Sequence, residues 1–282
     1  MKKTACCPCS GAPTRSIKAF STRIAATLFG APLDSHQSVC IGAVIAAGAL
    51  ARVTGRDAPF PHQAYVLATI YHETAHTMRP IEEYGKGEGR PYGAPDPETG
   101  QTYYGRGYVQ LTWRENYQKA SVACFDPLLT QGSATTDFVM TPGRALMPFF
   151  AAQIALFGMG QGWFTGKTLS DYDTPNGYDY INARRIINGT DRAELIAGYA
   201  RLFEEAARLA AGGHIERATL SKGSRGSDVI ELQLALGLPH DGVFGQATRD
   251  TVEAFQFAHG LSPDGVVGRM TWDTIDREVY GL

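Results

Sequence analysis

Tyr71 to Tyr117 opens with YHETAHTMRPIEEYG (71–85), crosses a Gly- and Pro-rich loop, and closes with YYGRGYVQLTWRENY (103–117). The first part puts carboxylates at the end of an apolar stretch. Ala64 to Thr77 reads as helical, Pro80 stops the helix, and Ile81 and Glu82 are free to turn back across a groove. The second part reads as a short β-strand or hairpin. Gly105 and Gly107 let backbone come close to a ligand, and Tyr103, Tyr104 and Tyr108 supply flat faces and hydroxyls. Two acids facing one cleft is the layout glycoside hydrolysis requires, because one protonates the leaving oxygen while the other activates water.

His72, Glu73 and His76 also spell H-E-x-x-H, which on a helix can hold zinc with the glutamate as base. Such a site needs a third protein ligand, and no second H-x-x-G-x-x-H element follows His76. The preferred reading is no metal, with both histidines packed and hydrogen-bonded around the glutamate.

HET followed nine residues later by a second acid, and then by YYGRGYVQLTWRENY, resembles the family 19 glycoside hydrolases, a group of chitinases and phage lysozymes with a lysozyme-like fold. Their chitinases often carry a histidine three residues after the HET glutamate, which accounts for the H-E-x-x-H match without zinc. The resemblance runs from about Tyr65 to Arg208 and takes in RRIINGTDRAELIAGY. It implies Glu73 as general acid and Glu82 as general base of an inverting reaction. That chemistry needs carboxyls roughly 6.5 to 9.5 Å apart. It further implies that Tyr104, Gln110, Thr112, Asn116 and Asn188 contact substrate. Glu83 is the other candidate base, and Arg106 reads as structural, paired with a carboxylate. To act as an acid near neutral pH, Glu73 needs apolar surroundings that keep it protonated, which Tyr71 and AYVLATI offer. Glu82 should stay ionised and wet.

Beyond AAGGHIERATLSKGS the composition changes. DGVFGQAT from Asp241 and DGVVGRMT from Asp264 repeat at 23 residues, each a tight Asp-Gly turn with an inward valine and a helix starting near Gln246 or Arg269. With Val229 to Leu236 as a first helix, this is a three-helix unit of about 60 residues. It resembles the type 1 peptidoglycan-binding domain of wall hydrolases.

The expected fold is therefore mainly α: an α+β lysozyme-like catalytic domain with a small β-hairpin region, plus a C-terminal three-helix bundle. The expected domains are a disordered tail at 1–14, the family 19 catalytic domain at 15–210, a linker at 211–224 and the peptidoglycan-binding domain at 225–282. Together the two resemblances imply an endolysin-like muramidase that cuts the β-1,4 bond between N-acetylmuramic acid and N-acetylglucosamine. The alternatives are a chitinase and a zinc peptidase acting on wall peptides. No cofactor is implied, and peptidoglycan is the expected partner of a monomer.

At 282 residues the length suits about two domains, and the net charge of −2 is unremarkable. Seven Lys and Arg stand against two Asp before Pro59, and five against nine Asp and Glu after Ala218. No dense basic stripe, P-loop or G-x-G-x-x-G element appears, so nucleic-acid and nucleotide handling are not expected. Cys6, Cys7 and Cys9 cluster as thiols in the tail, while Cys40 and Cys124 stand alone. MKKTACCPCSGAP has the lysines of a signal peptide without the apolar core that should follow. Val39 to Leu50 is apolar, shorter than the roughly 20 residues of a membrane span, and reads as a buried helix without stable membrane insertion. The resemblance implies synthesis in a host cytoplasm and action on the wall.

Overall fold

The computed structural model describes residues 16–56, 58–125 and 136–282. The expected tail at 1–14, with Cys6, Cys7 and Cys9, lies outside them. Among the described residues there are nine α-helices and two two-stranded antiparallel sheets, so the architecture is mainly α with small hairpins. The chain divides into two compact units, one spanning Ser35–Ala200 and the other made of Met1–Asp34 together with Arg201–Leu282.

The core of the Ser35–Ala200 unit is three helices, α2 (Ser35–Val53), α3 (Phe60–Glu73) and α5 (Pro148–Gly160), packed on one another. Along α3 every residue from His62 to Tyr71 is buried, and α5 is buried from Phe150 to Met159, the mark of helices surrounded by core on all sides. Gly48 of α2 makes this packing possible. A Cβ there would lie 2.4 Å from the Gln63 side chain, whose amide donates to the Ala58 carbonyl. The apolar run read as Val39 to Leu50 belongs to a longer helix that buries Cys40, Ile41, Val44, Ala47, Gly48 and Ala51, while Val39 and Val53 stay exposed. Among the described residues α2 is the one helix long and apolar enough to cross a membrane, a criterion that core helices of soluble proteins also meet.

Helix α3 ends earlier than its sequence pattern indicates. It stops at Glu73, and Ala75, His76 and Met78 have left-handed φ angles of 48°, 68° and 52°. Thr74 is the cause. Its hydroxyl donates to the Ile70 carbonyl at 2.7 Å and accepts from the Met78 amide at 2.9 Å, drawing the chain into a tight loop where a further helical turn would have run. The chain then forms β1 (Ile81–Glu82), paired with β2 (Arg106–Gly107) in the register Ile81 to Gly107 and Glu82 to Arg106. Helix α4 (Arg114–Ala123) follows, and the second sheet, β3 (Asp173–Thr174) with β4 (Gly177–Tyr178), comes after α5.

In the other unit, α1 (Ile17–Ile24) is capped by the Ser16 hydroxyl and runs into a π-helical turn at Ala25–Phe29. The C-terminal residues form α7 (Ser227–Ala235), α8 (Gln246–Ala258) and α9 (Arg269–Glu278). The last two start where the repeat placed them. The repeat is structural in detail: Gln233 and Gln256, both buried, each read one Asp-Gly turn. The Gln233 amide donates to Asp241 Oδ1 at 2.8 Å and to the Val243 carbonyl at 3.1 Å, and its Oε1 accepts from the Gly242 amide at 2.9 Å. Gln256 does the same with Asp264 at 3.1 Å, Val266 at 2.9 Å and Gly265 at 3.0 Å. One expectation is corrected here. Val266 is exposed and Val243 half-buried, and it is the next residues, Phe244 and Val267, that fill the core.

The stretch read as a linker at 211–224 is packed. Ile215 and Leu220 are buried, Leu220 bridges Val267, and Arg217 pairs with Asp276 at 2.8 Å beneath the Trp272 ring. Its small and polar residues mark irregular backbone, which here is fixed by side-chain partners.

Candidate active site

The carboxylates proposed from sequence sit on elements that hold them differently. Glu73 is the last residue of α3, its side chain about a quarter exposed, and Arg184 donates to its Oε1 at 2.7 Å. Arg184 is buried and anchored on its other side by the Asp191 carbonyl at 2.9 Å. The apolar residues expected beside Glu73 are buried along α3 up to Tyr71, and the fold adds to them a buried guanidinium that faces the carboxyl. That contact joins residues 111 apart in the chain.

Glu82, on β1, is more open, and three groups converge on it. The Tyr104 hydroxyl donates to Oε1 at 2.5 Å, Lys86 Nζ lies 3.4 Å from Oε2, and Arg106 Nε lies 3.7 Å from Oε1. The Tyr104 hydrogen bond chiefly, with Lys86 and Arg106 adding to it, holds the Glu82 carboxyl below the usual carboxylate range. Ionised and partly wet is the state expected of it from sequence.

Glu83 points elsewhere, with a hydrogen bond to each oxygen. One oxygen accepts from the Tyr92 hydroxyl at 2.9 Å, and the other from the Gly105 amide at 3.0 Å. It pins the 84–93 loop and the hairpin together. Arg106, read as structural, is buried and donates to the Thr102 carbonyl at 2.9 Å and the Tyr117 hydroxyl at 3.0 Å, its guanidinium lying 3.5 Å from the Tyr104 ring centre.

The polar residues assigned to substrate lie on one short segment, with the exception of Asn188. Tyr104 is buried with its hydroxyl given to Glu82, so it acts on the carboxylate. Gln110, at φ 55°, donates to the Ile81 carbonyl at 3.3 Å, Thr112 to the Gln110 carbonyl at 2.8 Å, and Asn116 to the Thr112 carbonyl at 3.0 Å. All three are half-buried, which leaves their remaining lone pairs accessible. Asn188 is exposed in the loop before α6 (Ala193–Ala210), with its amide on the Arg184 carbonyl at 3.0 Å. The glycines have a role closer to home than the one expected. A Cβ on Gly105 would lie 2.6 Å from Gln110 Oε1, and one on Gly107, at φ 90°, would lie 2.9 Å from the Ala145 carbonyl.

Trp113 lies on the same segment, between Thr112 and α4. It is half-exposed at φ 74°, with its ring edge-on to Tyr92 at 5.1 Å. A left-handed φ on a bulky residue costs about 1–3 kcal/mol and concentrates at functional sites.

The H-E-x-x-H pattern does not assemble a metal site. His76 lies outside the helix and stacks on Tyr71 at 4.1 Å and 9°, with Tyr199 edge-on at 5.9 Å. Desolvation holds the His72 imidazole below its usual pKa. No group of three His, Cys, Asp or Glu among the described residues is arranged to hold a metal ion.

Residues 225–275 match the family model described as a putative peptidoglycan binding domain. No curated protein matches the sequence. Two solved structures are similar to the chain. One is a bacterial family 19 chitinase, at 19% identity over 66% of this chain and 92% of the other, with a TM-score of 0.39. The second is a mutant of chitinase C, at 17% identity over 71% of this chain and 93% of the other, with a TM-score of 0.40.

Proposed function

We propose that the chain is a wall-directed glycoside hydrolase that cuts peptidoglycan between N-acetylmuramic acid and N-acetylglucosamine, with Glu73 as general acid and Glu82 as general base. The observation that carries this reading is the unequal treatment of the two adjacent acids on the hairpin. Glu82 is held ionised and partly open, as a base must be, while Glu83 has both oxygens committed to the fold.

In this mechanism Glu82 takes a proton from a water, whose oxygen attacks the anomeric carbon from the face opposite the leaving group. Glu73 gives its proton to the glycosidic oxygen as the C–O bond breaks. The products are a hemiacetal of inverted configuration and a free hydroxyl, with no covalent intermediate. Arg184 donates to Oε1 of Glu73 alone, which leaves Oε2 as the oxygen that would deliver the proton to the leaving group. Gln110, Thr112 and Asn116 would orient the sugar through the hydrogen-bonding capacity their backbone contacts leave free.

Peptidoglycan is favoured over chitin by the match of residues 225–275, because a wall-binding module raises the local concentration of the attached enzyme on its polymer. Mass spectrometry of fragments released from purified peptidoglycan tests the reading, using wild type, Glu73→Gln and Glu82→Gln, with and without chelator. Disaccharide-peptides ending in reducing N-acetylmuramic acid, lost in both variants and indifferent to chelator, are expected. Cleavage of separately supplied chitin with no fragment released from peptidoglycan makes the enzyme a chitinase, and freed peptides or loss in chelator make it a metallopeptidase.

A further inference from the structure

The match to the wall-binding family begins at residue 225, yet two carboxylates inside it depend on cations outside it. Glu231 of α7 is completely buried, with Arg23 Nη1 at 2.6 Å, Arg217 Nε at 3.4 Å and the Tyr280 hydroxyl at 3.4 Å. Asp228, one turn earlier, receives Arg23 Nη1 at 2.7 Å. The opposite edge of the same guanidinium serves Glu205 of α6, with Nε at 3.1 Å and Nη2 at 2.6 Å. Arg23 is buried and is supplied by α1, near the other end of the chain.

Two guanidiniums, Arg23 and Arg217, thus meet four carboxylates, Glu205, Asp228, Glu231 and Asp276. A buried carboxylate is tolerated when paired and strongly unfavourable when one partner is taken away. Without Arg23, Glu205 and Asp228 lose the guanidinium they share, and Glu231 keeps Arg217 at 3.4 Å. The contact is also apolar: α1 buries Ala19, Phe20 and Ile24, and the π-helical turn after it lies against α7. The cation has to be arginine, because one planar fork reaches α7 from one edge and α6 from the other, whereas a lysine ammonium is a single point of charge.

We propose that Glu205, Asp228 and Glu231 form an anionic docking surface whose occupant is the Arg23-bearing helix α1, and that wall binding by residues 225–275 requires this helix. The module that grips the wall is then discontinuous in sequence, and trimming the N-terminus disables it without touching the family-matched span. This holds whether or not the chain cleaves sugar.

The test uses the full chain with a specific protease site placed in the segment 31–34, which is cut after folding. The N-terminal piece is expected to co-elute with the remainder on gel filtration, and the cut protein to sediment with purified sacculi as the intact one does. In the same background, Arg23→Met and Arg23→Lys are expected to release the piece. Sedimentation should fall by about tenfold or more, and α7 amides should exchange about a hundredfold faster, with exchange in Ser35–Ala200 unchanged. The proposal is overturned if the wild-type piece separates while wall binding persists, or if Arg23→Met leaves α7 exchange and sedimentation at the wild-type level. Stripping the piece from the cut wild-type protein in high salt and then adding it back needs no substitution: sedimentation should be lost with the piece and restored with it, and sedimentation that persists without the piece overturns the proposal even if a variant fails to fold.

Discussion

Tyr104 and Glu82 stand 22 residues apart and share the shortest hydrogen bond at the candidate site, hydroxyl to Oε1 at 2.5 Å. The tyrosine is buried and braced by the Arg106 guanidinium on its ring, so the bond fixes both the direction and the charge of the carboxylate. Tyr104→Phe removes that donor and keeps the ring. Because the hydroxyl is the main cause of the lowered Glu82 pKa, its loss moves the native value upward. The acid limb of the pH–rate profile should therefore shift to higher pH, since a base is lost as pH falls through its native pKa. Turnover at neutral pH should drop by about tenfold to a hundredfold through misplacement of the base. A pH–kcat profile of the variant that overlays wild type would show that Glu82 is not the titrating base.

Glu83→Gln separates the fold from the chemistry. One hydrogen bond, to the Tyr92 hydroxyl or the Gly105 amide, is weakened, and a loss of about 1 kcal/mol in stability follows. Cleavage should stay within about tenfold of wild type, whereas Glu82→Gln should lose about 10²–10⁴-fold, the usual contribution of a general base. Parallel turnover and thermal-unfolding measurements on the two variants check this, and a reversed pattern would make Glu83 the base.

Gln233→Ala and Gln256→Ala should each destabilise the C-terminal helices by about 1–3 kcal/mol, because each leaves a buried glycine amide, Gly242 or Gly265, without its acceptor. The two losses should be nearly additive if the turns are independent units. Urea titration followed by the fluorescence of Trp272, in a background lacking the other tryptophans, measures both single variants and the double.

Cys40 and Cys124 are buried thiols, each pushed up to about 12 by desolvation. Neither should react with a disulfide reagent in the native protein at neutral pH, since the thiolate is the attacking species. Both should react in denaturant. Mass mapping of the labelled cysteines distinguishes them from Cys6, Cys7 and Cys9.

The parts of the fold legible in sequence were those set by local rules. Asp-Gly at 241 and 264, followed by a helix-starting pattern, placed the starts of α8 and α9 correctly, because the turn and the cap lie within a few residues of one another. The glutamine that reads each turn was missed, although Gln233 to Asp241 and Gln256 to Asp264 have the same spacing and the repeat could have revealed it. The end of α3 was set four residues too late. Apolar periodicity says nothing about the Thr74 hydroxyl competing for backbone groups. Longer reach was invisible: Arg184 on Glu73 and Arg23 on Glu231 join residues separated by 111 and 208 positions. Small and polar residues at 211–224 looked like a tether because composition does not record that Arg217 and Leu220 have partners further on.

The left-handed φ angles at Ala75, His76 and Met78 bear on where the neighbouring carboxyl can point. Three side-chain-bearing residues in a region that favours glycine place local backbone strain directly after Glu73. Glycine there would relieve the strain, and at the same time widen the set of directions in which the carboxyl can point. A relaxed backbone and a fixed Glu73 carboxyl therefore make opposite demands on this loop.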